Sequence, residues 1–477
     1  MKSMCIGGRS VAARDGRTIP VIDPSTGESF DSISAGGTHE VDLAVAAARH
    51  ALDGPWGAQS ATDRGRTLSR LAERVRAEAE SLAVLEARDT GKAMSTARND
   101  IQVLARYFEF FGGAADKVLG QVIPYVPGHH VTLEREPLGV TAHILPWNYP
   151  AQMLGRTVAP ALAMGNAVVL KPAEDTSLSA LRVSELALDV GLPEGTFNVV
   201  TGYGDEAGAA LAGHPGIDFV SFTGSLEVGR LVQAAAARNV VRCVLELGGK
   251  SPQIVFSDAD VPRAVTTIVR ALVQNAGQTC TAGSRLLIER GVYAEVLARV
   301  GAAFAALRAG TPAMDLDCGP LMNAAQHARV NGYLEAAAAS NIRVFARGRV
   351  EEGCPPGGYF VAPTLLGDVP RDHAIAREEI FGPVLAAMPF EDEADAISLG
   401  NATDYGLTAG VWSENAGRLA RVAKRLRAGQ VFLNCYGAGG GVEVPFGGTK
   451  RSGYGREKGL LALEELSTTK AIVHFHG

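Results

Sequence analysis

Residues 140–148 read VTAHILPWN, and the pattern they set returns four more times. It recurs as AVVLKPAE at 167–174, FNVVTGYG at 197–204, FVSFTGS at 219–225 and VRCVLELGG at 241–249. Each is a short β-rich run that stops at proline, glycine or a polar group. The runs themselves are 140–145, 167–170, 197–200, 219–222 and 241–245, with helical stretches such as 176–190 and 226–237 between them. Strands alternating with helices predict βαβ units and a parallel sheet. In such sheets ligands gather beyond the carboxyl ends of the strands. The residues found there are Pro146-Trp147-Asn148, Lys171-Pro172-Ala173-Glu174, Thr201-Gly202-Tyr203-Gly204, Thr223-Gly224-Ser225 and Glu246-Leu247-Gly248-Gly249. Together they describe one binding crevice.

Outward from this region, a second α/β block starts near Ser251. It holds a strand-like run at 286–289, helical patterns at 292–307 and 324–340, and a further α/β layer over 342–447. The stretches 122–135 and 468–475 are extended in character. They read equally well as arms reaching to another domain or subunit and as ordinary edge strands. The apolar run 157–170 is interrupted by Pro160 and Gly165-Asn166, so it is too short to span a bilayer.

Composition bounds the function. The chain has 477 residues, 47% hydrophobic and 20% charged, enough for two or three domains with their own cores. Lys and Arg number 45 against 51 Asp and Glu, a formal charge of −6, which argues against a basic nucleic-acid binder. The six cysteines, at 5, 243, 280, 318, 354 and 435, form no CxxC pair and no disulfide framework. We expect reduced thiols in a soluble cytoplasmic protein; the opening MKSMCIGGRS offers no signal-peptide core.

Cys280 lies among small and polar neighbours in NAGQTCTAGS, a setting for an accessible sulfur. Cys243 and Cys435 read instead as small buried hydrophobes. A free thiol is only a few per cent thiolate at neutral pH, so a neighbouring base or positive field is needed to activate it. Glu246, at a strand end beside two glycines, is a candidate general base, or else an exposed loop glutamate. Asn148 can donate to a developing oxyanion, or serve as a turn residue. The histidines show no HExxH spacing, so no metal site is expected. Gly202-x-Gly204-x-x-x-Gly208 is one residue longer than the dinucleotide fingerprint, and Ser225 is a good N-cap and anion site.

Seven motifs in order now make the chain recognisable: PWNYP (146–150), KPAE (171–174), FTGS (222–225), ELGGKSP (246–252), NAGQTCTAGSR (275–285), EEIFGPV (378–384) and PFGGTKRSGYGRE (445–457). Through them it resembles the NAD(P)-dependent aldehyde dehydrogenase superfamily, of the hydrolytic, non-CoA-acylating type. The resemblance implies a Rossmann-like parallel-sheet cofactor domain (1–118 and 138–248) and a second α/β catalytic domain (249–447). It also implies a small β arm (119–137 and 460–477) used for homodimer or homotetramer assembly. It gives Cys280 the role of nucleophile, Glu246 that of the base for the hydrolytic water, and Asn148 that of oxyanion donor. Lys171 and Glu174 are similar to ligands of the adenosine ribose, Trp147 and Ser225 to pyrophosphate contacts, and Glu379 and Phe381 to the nicotinamide holders. Leu145, Gly204, Gly224 and Leu247 complete the cofactor set.

A carboxylate at 174 would repel a 2′-phosphate, so NAD is expected over NADP. For the substrate, an aldehyde, the residues beside the expected tunnel are Tyr149, Met153, Arg156 and Phe446. Tyr149, Met153 and Phe446 suit a medium-sized apolar or aromatic aldehyde, or else simply pack the core. Several family members that oxidise carboxylated semialdehydes place an arginine where Arg156 stands, to pair with a substrate carboxylate; the alternative, a structural or rim arginine, is slightly preferred. They often carry a second arginine six residues before the nucleophile, where this chain has Gln274. The run Gly437-Ala438-Gly439-Gly440-Gly441 is expected to leave one tunnel wall open. Two alternatives stand beside the hydrolytic reading: a CoA-acylating aldehyde dehydrogenase, and a non-catalytic binding protein on the same fold.

Overall fold

Parallel strands buried on both faces read as unbroken apolar runs, and Ala167–Lys171 is buried at every position. The computed structural model describes residues 1–437 and 441–477. Its first sheet has five parallel strands at the centre. In spatial order these are Phe197–Val199, Ala167–Lys171, Val140–Ile144, Phe219–Thr223 and Arg242–Glu246. The chain winds one way from Val140–Ile144 and then the other, so the switch point lies between Val140–Ile144 and Phe219–Thr223. Such a switch leaves a crevice at the carboxyl ends.

Both edges of this sheet are closed by antiparallel strands. Met4–Ile6 pairs with one edge, and Gly453–Tyr454 with the other, setting Gly453 opposite Glu246. The C-terminal part of the chain is thereby brought back to the crevice. The helices Ala61–Ala77, Met94–Ala114, Pro150–Ala163 and Leu178–Asp189 share one apolar core, which includes Leu68, Phe108, Leu154 and Leu186. Trp56 fastens to it by donating to the carbonyls of Gly165 and Asn166, both at 3.1 Å.

The second sheet has seven strands. In order they are Arg343–Arg347, Thr364–Gly367, Val384–Phe390, Arg285–Glu289, Pro252–Val255, Thr408–Trp412 and Gln430–Leu433. All pairings are parallel except that of Arg343–Arg347. The buried guanidinium of Arg285 donates to the carbonyls of Lys250, Leu399 and Gly400, each at 2.8 Å.

A third, three-stranded antiparallel sheet joins Ser467–Phe475, His129–Pro137 and Gln121–Ile123. The extended stretch expected at 122–135 is therefore a hairpin. Pro124 and Pro127 end the first strand, and Gly128 at φ 79° turns the chain into the second. From Thr468 onward the terminal strand is exposed. All six cysteines are free thiols; Cys435, expected to be buried, is exposed. Among the described residues no helix is long and apolar enough to cross a membrane. Residues 438–440 of the glycine-rich run lie outside the described residues.

Gly453 decides how the C-terminal segment meets the first sheet. Its φ is 109°, and a Cβ there would meet the Leu245 carbonyl oxygen at 1.8 Å. Gly453→Ala is expected to destabilise the protein by about 2 kcal/mol or more, read as a lowered Tm in thermal unfolding. An unchanged Tm would contradict this account of the edge pairing.

Candidate active site

Cys280 follows a tight turn at Gln274–Gly277, where Asn275, Ala276 and Gly277 have φ of 49°, 54° and 75°. Consecutive left-handed residues are strained and persist only when their surroundings hold them. Those surroundings are the Pro146–Pro150 loop of the other sheet. Asn275 Nδ2 donates to the Asn148 carbonyl at 2.9 Å, and Asn148 Nδ2 donates to the Gln278 carbonyl at 2.9 Å. Tyr149 Oη and Thr279 Oγ1 share a hydrogen bond of 2.9 Å. The Gln278 side chain braces the turn from behind: it donates to the Asn275 carbonyl at 3.1 Å and accepts from Met322 N–H at 2.8 Å. Asn148 Oδ1 is buried and has no hydrogen-bond partner.

Beneath this junction lies a charged cluster that the sequence reading missed. Lys92 Nζ donates to Asp100 Oδ2 at 2.6 Å, to the Asn148 carbonyl at 3.1 Å and to Glu86 Oε1 at 3.4 Å. It also sits 4.4 Å from the Tyr149 ring centroid. Burial opposes the Lys92 charge, and the attraction of Asp100 and Glu86 keeps it ionised. In sequence, Lys92 follows the helix C-cap Gly91, which is where a solvated lysine ordinarily complements a helix dipole.

Glu246 ends its strand with both carboxylate oxygens buried and without hydrogen-bond partners. Gly447 lets the chain pass this close, since a Cβ there would meet Glu246 Oε1 at 2.8 Å. Burial raises the Glu246 carboxyl well above the usual carboxylate range, against the pull of Arg156. The Cys280 thiol is pushed up to about 12, chiefly by burial, with Arg156 opposing and Glu379 and Glu246 reinforcing. Burial thus disfavours the charged form of both thiol and carboxyl, and Arg156 opposes that effect at each.

The crevice residues expected for a cofactor line the carboxyl ends of the first sheet. Lys171 Nζ donates to Glu174 Oε2 at 2.7 Å, and Gly204 N–H approaches Glu174 Oε1 at 3.4 Å. The extra residue relative to GxGxxG is taken up in a π-helical turn, Gly204–Gly208. Gly224 N–H donates to the Glu246 carbonyl at 3.1 Å. Ser225 caps its helix as expected, its Oγ accepting from Val228 N–H at 3.3 Å. Leu145 and Leu247 are core residues, each 4% exposed, so their side chains pack inward. From the second sheet, Glu379 Oε1 accepts from Gly249 N–H at 2.9 Å, and burial pushes its carboxyl up to about 7. Phe381 meets Trp147 edge-to-face across the two sheets, with centroids 5.3 Å apart.

The four residues expected at the substrate tunnel are all buried. Arg156 joins two of the others, with Nη1 3.6 Å from Met153 Sδ and its guanidinium 4.2 Å from the Phe446 ring centroid. The same guanidinium contacts Glu457 through Nε, and Nη2 lies 3.7 Å from Glu246 Oε2. Glu457 was not anticipated from sequence; it reaches the site only because the 453–454 strand returns to the sheet. Tyr149 lies apart from this group, tied to Thr279 next to the cysteine.

The model of the Aldehyde dehydrogenase family matches residues 11–472. A hydroxyisobutyraldehyde dehydrogenase of Mycolicibacterium austroafricanum is 43% identical over 472 residues, covering 98% of this chain and 93% of its own. The crystal structure of a candidate aldehyde dehydrogenase from Burkholderia cenocepacia superposes with a TM-score of 0.99 at 56% identity, covering 100% of both chains. That of betaine aldehyde dehydrogenase from Staphylococcus aureus, in complex with NAD+, gives 0.97 at 34% identity over 100% of this chain and 95% of that one. The chain belongs to the aldehyde dehydrogenase family.

Proposed function

We propose that this protein oxidises an aldehyde to a carboxylic acid with NAD, through covalent catalysis at Cys280 and hydrolysis assisted by Glu246. The observation that carries the reading is the buried Glu246 carboxyl, free of hydrogen bonds, at the crevice that the Cys280 and Asn148 loops close. The donor set fits a dinucleotide. Lys171 and Glu174 offer a cation and a carboxylate for ribose hydroxyls, and Ser225 opens a helix whose first N–H groups suit a pyrophosphate. Trp147, Glu379, Phe381 and the backbone at Leu145, Gly204, Gly224 and Leu247 complete the cofactor site in this reading. When bound, NAD accepts the hydride released from the substrate carbon.

The chain's own residues do the rest. Cys280 reacts as its thiolate: the thiol proton leaves to solvent water, and Sγ adds to the aldehyde carbon. The carbonyl oxygen becomes an alkoxide, which the remaining Asn148 Nδ2 hydrogen and the Cys280 N–H stabilise. Loss of hydride leaves a thioester on Cys280. Glu246 takes a proton from water as it attacks that thioester, and the acid leaves. Burial makes the Glu246 carboxylate a stronger base than a solvated one, which suits proton abstraction from water. The hydrolytic base also favours water over a thiol as acyl acceptor, against the CoA-acylating alternative.

Cys280→Ala is expected to abolish NADH formation. Glu246→Gln should release one NADH per active site in a burst and then turn over at least about 100-fold more slowly. Unimpaired steady-state turnover in Glu246→Gln would remove Glu246 as the base. Measured in stopped flow, both variants separate acylation from hydrolysis.

Further assignments follow from the same reading. Domains at 1–118 and 138–248, 249–447, and 119–137 with 460–477 are supported by the three sheets. Tyr149, Met153 and Phe446 support an apolar or aromatic aldehyde of medium size. The exposed terminal strand, with Ile472, Val473 and Phe475 on the surface, supports homodimer or homotetramer assembly through the arm. Six free thiols, Cys435 exposed among them, suit a reducing cytoplasm.

Glu174, a third exposed, meets the ribose end of the cofactor in this reading. We expect kcat/KM for NAD to exceed that for NADP by about tenfold or more, and Glu174→Gln to narrow the gap. Equal or better use of NADP by the unaltered enzyme would refute this role for Glu174.

A further inference from the structure

The Arg156 guanidinium lies among two carboxyl groups and an aromatic ring, though its Nε and Nη2 make no well-aligned hydrogen bond. Nε contacts Glu457, Nη2 lies 3.7 Å from Glu246, and the plane stacks 4.2 Å from the Phe446 centroid. The side chain is only 5% exposed, and its carboxylate partners Glu246 and Glu457 are 2% and 7% exposed. Glu457 is itself pinned. Ser221 Oγ donates to its Oε1 at 3.0 Å, and its backbone pairs with Phe446 in both directions, at 2.6 and 2.8 Å. One cation therefore spans two buried carboxyl groups, and one of these is the base of the reading above.

We propose that Arg156 is a positioning residue, shared between Glu246 and Glu457, whose charge beside Glu246 favours the ionised carboxylate. Being so committed, it does not receive a substrate carboxylate, and the site takes aldehydes without a distal anion. A third carboxylate on a guanidinium already facing two would bring an uncompensated negative charge into a desolvated region. The proposal rests on Glu246 being the hydrolytic base.

The charges around Glu246 come from several elements. They are Arg156 on the helix Pro150–Ala163, Arg456 and Glu457 after the strand Gly453–Tyr454, and Glu465 on the helix Leu461–Glu465. Arg156 also faces Tyr107 of the helix Met94–Ala114 and Cys280. Lys458 stands 5.8 Å from the Phe446 centroid. Burial raises the Glu246 carboxyl, Arg156 is the main opposing influence, and Glu457 adds to the rise. The sign follows. A base works ionised, so turnover falls as pH drops through its pKa. Removing the Arg156 cation raises that pKa and moves the acid limb to higher pH.

The test uses the full-length enzyme with NAD and two aldehydes of equal size, one with a distal carboxylate and one with a carboxamide. Arg156→Met should move the acid limb of kcat up by about one pH unit and enlarge the NADH burst at neutral pH. Arg156→Lys should return most of the shift. Glu457→Gln leaves Arg156 to Glu246 alone and should move the limb down. In all three variants the carboxylate-to-carboxamide ratio of kcat/KM should stay within about threefold of the unaltered enzyme.

An unmoved limb in folded Arg156→Met overturns the proposal. So does a loss of more than about 30-fold confined to the carboxylate aldehyde, which is the size of a removed charged contact. If circular dichroism shows Arg156→Met unfolded, Glu457→Gln decides, and a limb that stays or rises overturns it. A Glu246→Gln enzyme that gives no burst would instead refute Glu246 as base, a result distinct from a burst with an immobile limb.

Discussion

The Asn148 carbonyl is held from two sides, by the Lys92 ammonium and by the Asn275 amide. On this shared acceptor the two halves of the site meet. Lys92 fixes the Pro146–Pro150 loop to the helices below the first sheet. Asn275 fixes the nucleophile's turn, which belongs to the second sheet, to that same loop. The strained left-handed residues at 275–277 are affordable only because this junction over-determines them. The arrangement carries a liability: without Lys92, Asp100 and Glu86 would face each other in a dry interior with no counter-charge.

Around this junction the crevice keeps protons where a solvated site would keep charges. Burial raises Glu246 and Glu379 and pushes the Cys280 thiol up. Lys250, wholly buried with no partner for Nζ, is brought down to about 7 by burial and by the nearby Arg285. A crevice whose thiol and carboxyls are biased toward their neutral forms has little to rearrange when an uncharged aldehyde enters. It can also generate a thiolate at the moment of reaction in place of storing one exposed to oxidants. Arg156 is the cation that biases this balance from within the wall.

The sequence was most legible where burial on two faces leaves no polar position in a strand. The five central strands of the first sheet end within a residue of their apolar runs, and the residues past those ends are the crevice. Cys280 and Glu246 stood out because small or glycine neighbours give such side chains room to act, and Asn148 because it stands just past a strand end. The hairpin at 121–137 was read as one extended piece because its strands are exposed and lack a clean alternation. Cys435 was misread because a cysteine next to a short strand looks like a packed one. Lys92 and Glu457 were out of reach for a different reason. Glu457 depends on Ser221, 236 residues away, and Lys92 on the Asn148 carbonyl, 56 residues on, together with Glu86 and Asp100 of its flanking helices. No local pattern marks a lysine or a glutamate that folding will bury.

Three tryptophans sit in very different surroundings. Trp56 and Trp412 are each 1% exposed, with their indole N–H groups bonded to the Gly165 and Asn166 carbonyls and to Gln253. Trp147 is half-buried and leans on Phe381 across the cleft. Any tilt of one sheet against the other separates those two rings while the remaining indoles keep their packing. The molecule thereby carries an intrinsic fluorescence gauge of cleft opening, with two silent chromophores as its internal standard.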